Sequence, residues 1–125
     1  MIIDSTFLID LMAGEAGAVA KLDELVEDAE PLAVSALTVT EVRRGIENDD
    51  RDTFDDVIED VSVVPFGRGE ARRAADLLRS LDGSGIPIGA VDAMIAATAL
   101  ERGEKVLTRN LAEFERVDGL RVVPY

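Results

Sequence analysis

The sequence predicts an α/β domain whose parallel sheet is covered by helices on both faces. Two observations carry this expectation. Short apolar runs of roughly three to five residues, bounded by turn or cap residues, recur along the chain. Longer segments with apolar residues at helical spacing separate them. Strands that read as unbroken apolar runs are buried on both faces, and the crossovers that join parallel strands are helices.

In order, residues 1–4 form an apolar run ending in Asp4, read as the first strand. A helix over 5–11 follows, with Ser5 or Thr6 as its cap. A second helix covers 16–27, and Pro31 opens PLAVS, a buried strand. Thr38 or Thr40 starts a helix reaching about Asn48, and the acidic run 49–60 reads as a solvated helix face. The third strand is 61–65 and the next helix 69–81. DGSGIP is a turn, after which a helix carrying Asp92 runs until Arg102 and Gly103 stop it. Segments 105–108 and 120–123 supply two last strands, and no internal repeat or low-complexity linker interrupts the pattern.

Composition narrows the chemistry. At 125 residues the chain reads as a single domain over 1–125, large enough for a sizeable core. The apolar stretches are broken by charge, Pro and Gly, so no membrane span is expected, and residues 1–10 lack the pattern of a signal peptide. A cytoplasmic protein is expected. Cys and His are both absent, which removes thiolate nucleophiles, disulfides, Cys/His zinc sites and imidazole bases. Any catalysis must run on carboxylates, hydroxyls or a hard cation such as Mg²⁺ or Mn²⁺. The net charge of −13 argues against a nucleic-acid partner, because phosphate affinity comes largely from Lys and Arg. Lysine is represented only by Lys21 and Lys105, against eleven arginines and fourteen aspartates. That bias suggests a halophilic protein, whose acidity describes the solvent more than the ligand.

Asp92 is the residue most in need of explanation. It lies inside IPIGAVDAMIAATAL, and its neighbours at helical spacing, Ile88, Gly89, Ile95 and Ala96, cannot neutralise it. A carboxylate in apolar surroundings costs on the order of several kcal/mol unless a cation or hydrogen bonds compensate it. In parallel α/β sheets, ligands bind beyond the carboxyl ends of the strands. Asp4 ends the first strand, Glu41 lies early in the helix after the second, and Asn110 follows the fourth. With the first strand central, three carboxylates and an amide meet at one end of the sheet, an arrangement that calls for a divalent cation. Such cations serve phosphodiester hydrolysis without any histidine.

The segments MIIDSTFLIDLM, SALTVTEVRRGI, IPIGAVDAMIAATAL and VLTRNLAEF resemble, in order and separation, the signature segments of PIN-domain ribonucleases, particularly VapC-type toxins of type II toxin–antitoxin pairs. The resemblance spans essentially the whole chain. It implies a three-layer α/β/α domain with a five-stranded parallel sheet in the order 3-2-1-4-5. It implies a Mg²⁺- or Mn²⁺-dependent endoribonuclease, with Asp4, Glu41 and Asp92 as metal-binding acids and water as the nucleophile. It also implies a homodimer and a cognate VapB-type antitoxin. The family's fourth acidic position falls at Asn110, an amide that adds no charge. Thr108 and Ser5 match hydroxyl positions near the site.

Each residue has a plainer reading. Asp4 could cap the helix that follows it, Glu41 could pair with Arg44, and Asn110 could shape a turn. Asp92 could be a helix cap, and Thr108 and Ser5 could be structural. Asp10 and Glu113 read as solvated or cap positions, and Arg43, Arg109 and Arg116 as phosphate contacts or surface ion pairs. Other functions remain open at this stage: a PIN-like RNA- or protein-binding module with little nuclease activity, or a PIN nuclease of RNA processing. A haloacid-dehalogenase-type phosphatase would want DxD where the chain reads Asp4-Ser5-Thr6, and a phosphoacceptor receiver fits no better, since Lys105 begins its strand.

Overall fold

A computed structural model describes residues 1–125. Five short strands, β1 (Ile2–Ile3), β2 (Ala33–Ser35), β3 (Ser62–Val64), β4 (Val106–Leu107) and β5 (Val122–Val123), form one parallel sheet in the order β3-β2-β1-β4-β5. The helices are α1 (Ser5–Met12), α2 (Ala16–Glu27), α3 (Ala36–Gly45), α4 (Asn48–Glu59), α5 (Arg68–Gly83), α6 (Ala90–Arg102) and α7 (Leu111–Phe114). The parallel sheet, its order and its helical covering are as the sequence implied.

The two-residue period of the strands divides the core into two layers. Ile2, Ala33, Val64 and Val106 face a cluster with Ile95, Ala96, Ala99 and Phe114, chiefly from α6 and α7. Their neighbours Ile3, Val34 and Leu107 face the opposite cluster with Phe7, Leu8, Leu25, Val42 and Phe54, from α1 to α4. The run of alanines in α6 lets that helix lie close to the sheet, while α5 packs along its outer side. Gly103, at φ 65°, ends α6 in the left-handed conformation that favours glycine.

Several local expectations shift. α3 starts at Ala36, not at a threonine, because Ser35 caps it, its Oγ accepting from the Leu37 amide at 3.2 Å. The 49–60 run is a helix as read, but Phe54 is fully buried and anchors it to the core. α7 is a helix where the sequence suggested none; its four residues are too few to show a period.

Phe54 is the only buried residue of α4. Phe54→Ala should therefore cost about 3–5 kcal/mol by cavity formation, read from the urea midpoint. A loss below about 1 kcal/mol would show that α4 docks by other means.

Candidate active site

β1 is central, and its register with β4 sets Ile3 opposite Leu107. The next residues, Asp4 and Thr108, are therefore side by side beyond the strand ends. Asp4 is 1% exposed. It occupies the N-cap position of α1 yet makes no side-chain cap bond, so the plain capping role is not the one its carboxylate fills. Its Oδ2 instead accepts from Thr108 Oγ1 at 2.7 Å and from Thr6 Oγ1 at 3.1 Å. Its Oδ1 is buried without a partner. An unpaired oxygen on a buried carboxylate is costly, and it is the kind of atom a cation would satisfy.

The two threonines are themselves fixed by backbone. Thr108 Oγ1 accepts from the Asn110 amide at 2.9 Å, and Thr6 Oγ1 accepts from the Arg109 amide at 3.1 Å. Thr6, rather than Ser5, is thus the α1 hydroxyl that reaches Asp4; Ser5 is buried and makes no such bond.

Asp92 stands in the first turn of α6 and is partly buried. Asn110 Nδ2 donates to its Oδ2 at 3.3 Å, which joins the β4 loop to α6. Burial pushes the Asp92 carboxyl up to about 6, with the negative charges of Asp4, Glu113 and Glu41 adding to the effect in that order. Glu41 is exposed on α3 and forms no ion pair with Arg44. The four acids thus share one electrostatic neighbourhood. No three of them stand close enough to hold a cation as placed, so the cluster is charge-coupled but not drawn together.

Glu113 is more than a solvated or cap position, because α7 brings its charge to bear on Asp92. Three residues beyond Asn110, it is carried back toward Asp92 by a single helical turn. The -Asn-Leu-Ala-Glu- spacing was the available signal. Asp10 is also not a solvated or capping acid. It is 7% exposed, pairs with Arg109 at 2.9 Å and accepts from the Tyr125 hydroxyl at 2.7 Å. Tyr125 packs edge-on against Phe7, and burial together with the Asp10 bond pushes its phenol up to about 12. The arginines considered for phosphate contacts are all engaged: Arg43 with Asp55, Arg109 with Asp10, and Arg116 with Glu113 and the Pro87 carbonyl.

Comparison with known proteins agrees with this fold. The PIN domain family matches residues 1–120. The chain belongs to this family. Ribonuclease VapC1 of Rickettsia felis is 39% identical, over 50% of this chain and 46% of that protein, so the match spans about half of its length. The tRNA(fMet)-specific endonuclease VapC of Salmonella typhimurium is 31% identical over 73% of each chain, which places this PIN domain in the VapC branch. A crystal structure of DNA-bound VapBC from Salmonella typhimurium superposes with a TM-score of 0.83 at 25% identity, covering 98% of this chain and 96% of that one.

In this PIN domain the raised Asp92 carboxyl has a consequence for stability. A carboxyl whose folded value lies above its unfolded value holds its proton more tightly in the folded chain. Asp92 therefore opposes folding in full above about pH 6, and the penalty fades as pH falls toward its ordinary value of 3.8. In EDTA, Asp92→Asn should raise Tm by several degrees at pH 7.5 and by clearly less at pH 4.5. Equal gains at both pH values would mean that charge strain is not what the substitution relieves.

Proposed function

We propose that this chain is the toxin of a type II toxin–antitoxin pair, a Mg²⁺- or Mn²⁺-dependent endoribonuclease that hydrolyses RNA phosphodiester bonds with water as nucleophile. The observation that carries the reading is the unpartnered, buried Oδ1 of Asp4 beside the charge-strained Asp92. A site of that composition fits a hard divalent cation, since its donors are oxygens and their repulsion is what a cation offsets. Asp4, Asp92 and Glu41 are the residues that would hold it, with Glu113 adding charge to the same neighbourhood. When bound, the cation supplies a lowered pKa for water and neutralises charge developing on the phosphate.

The chain's own residues set the terms of that chemistry. Thr108 and Thr6 hold one oxygen of Asp4 and leave the other free. Asn110 fixes Asp92 without adding charge. With no histidine in the chain, proton transfer at the phosphate falls to water and carboxylates.

The relatives named above are ribonucleases, and the Salmonella structure is a VapBC complex, which supports an antitoxin partner here. A groove of about 320 Å³ between α1, α2 and α4, lined by Phe7, Leu11, Leu22, Val26, Val57 and other mostly apolar residues, offers such a protein a surface. We propose a homodimer on the family likeness alone. No helix is long and apolar enough to cross a membrane. A second reading, a PIN-like module that binds but cuts poorly, draws on the fact that no three acids stand at ligating separation.

One assay separates the two. Wild-type protein with Mn²⁺ should cleave RNA, EDTA should stop it, and Asp4→Asn or Asp92→Asn should abolish it. Thr108→Val, acting through Asp4, should cost about 10–100-fold. Cleavage that survives both Asn variants would remove the site assignment, and no cleavage by wild type at any salt would favour the binding module.

The acidic composition adds a proposal of adaptation to concentrated salt. Circular dichroism should show the fold held in molar KCl and lost on dialysis into dilute buffer. Unchanged spectra and melting in dilute buffer would discard the halophilic reading.

A further inference from the structure

On the helix that carries Glu41, α3 and the start of α4 border a shallow, open groove of about 320 Å³ lined by Val39, Thr40, Arg43, Arg44 and Arg51. Three of the eleven arginines of a chain with net charge −13 converge there. Arg43 is committed, its Nε and Nη2 donating to the Asp55 carboxylate at 3.0 and 3.2 Å, and Asp52 lies near enough to act on it as well. The other two make no hydrogen-bonded ion pair, although Arg51 lies near enough to Asp55 to help hold its carboxyl down. Arg44 is exposed and enters no ion pair, and Arg51 is partly buried with its Nε shut away from solvent and without an acceptor.

A buried guanidinium N–H without an acceptor is a group whose partner is missing. Guanidinium forks bind phosphate oxygens through paired, charge-assisted hydrogen bonds. The position of the groove is as telling as its charge. Arg44 lies three residues after Glu41 on α3, about 4.5 Å further along the helix axis at 1.5 Å per residue. A strand whose scissile phosphate lies at the acids would therefore carry a neighbouring phosphate past Arg44, and Arg51 lines the same groove as Arg44.

We propose that the groove is a subsite for the phosphodiester backbone of single-stranded RNA flanking the cleaved bond, with Arg44 and Arg51 as its phosphate ligands. This rests on the nuclease reading above. It resolves the conflict between an acidic chain and a polyanionic ligand, because only two arginines outside any hydrogen-bonded ion pair are asked to hold the strand, not a basic face.

The test uses the Asp92→Asn protein, in which cleavage is expected to be lost, and a fluorescein-labelled single-stranded oligoribonucleotide in EDTA. Anisotropy titrations across a salt series should show Arg44→Ala/Arg51→Ala binding at least about tenfold more weakly at low salt. The slope of log K against log salt should fall by about 1.4, at about 0.7 per lost phosphate contact on a single strand. Arg44→Lys/Arg51→Lys, which keeps the charges, should retain most of the slope and guards against misreading a damaged fold. Unchanged affinity and slope in the alanine variant, with wild type still cleaving, would overturn the subsite and leave the nuclease standing. Failure of wild type to bind or cleave RNA would overturn both. Polyglutamate binding as tightly as RNA, and weakening equally in the alanine variant, would mean that the groove takes acidic protein and would overturn the RNA assignment.

Discussion

The structure turns on a carboxylate buried at the end of its central strand. Asp4 is placed by the pairing of β1 with β4, and that pairing brings Thr108 to within 2.7 Å of it. The bonds made by Thr108 and Thr6 satisfy one oxygen only. The charge of Asp4 reaches outward: burial first, and then that negative charge, raise the proton affinity of Asp92, which is tied through Asn110 to the loop carrying Arg109 and Thr108. Removing Asp4 from this set would relax its neighbours and leave the site without its fixed point.

Around that point the protein segregates its charges. Asp10, also buried, in a helix beside the site, has both oxygens engaged by Arg109 and Tyr125. Asp10 and Asp4 are both buried, but only Asp4 has an oxygen left over. Of the four carboxylates that share the neighbourhood, only Glu113 is paired with an arginine, Arg116 at 3.3 Å, while Arg43 and Arg109 are spent on Asp55 and Asp10.

How far the sequence disclosed this depends on the range of each signal. The bounds of α2 and the parallel strands followed from period and apolar runs, which are local. Asp92 stood out because its apolar neighbours at helical spacing are also local. The Ser35 cap was hidden because that residue ends β2 as well as opening α3. Glu113 was hidden by a helix too short to show a period. The partners of Asp10 lie 99 and 115 residues away, so nothing in its own segment marks it as buried and paired. Ser5 and Thr6 are adjacent hydroxyls, and only the turn of α1 decides which one meets Asp4.

The central position of β1 also bears on when the protein becomes competent. Its two sheet neighbours are β2, nearby in sequence, and β4, whose Thr108 lies 104 residues from Asp4. Contacts of such sequence separation close slowly, after most of their loop entropy has been lost. On a ribosome, β1 is made before β4 and must wait for it before that side of the strand is paired. The carboxylate site is assembled by that last pairing, so a nascent chain carries Asp4 long before it carries a site.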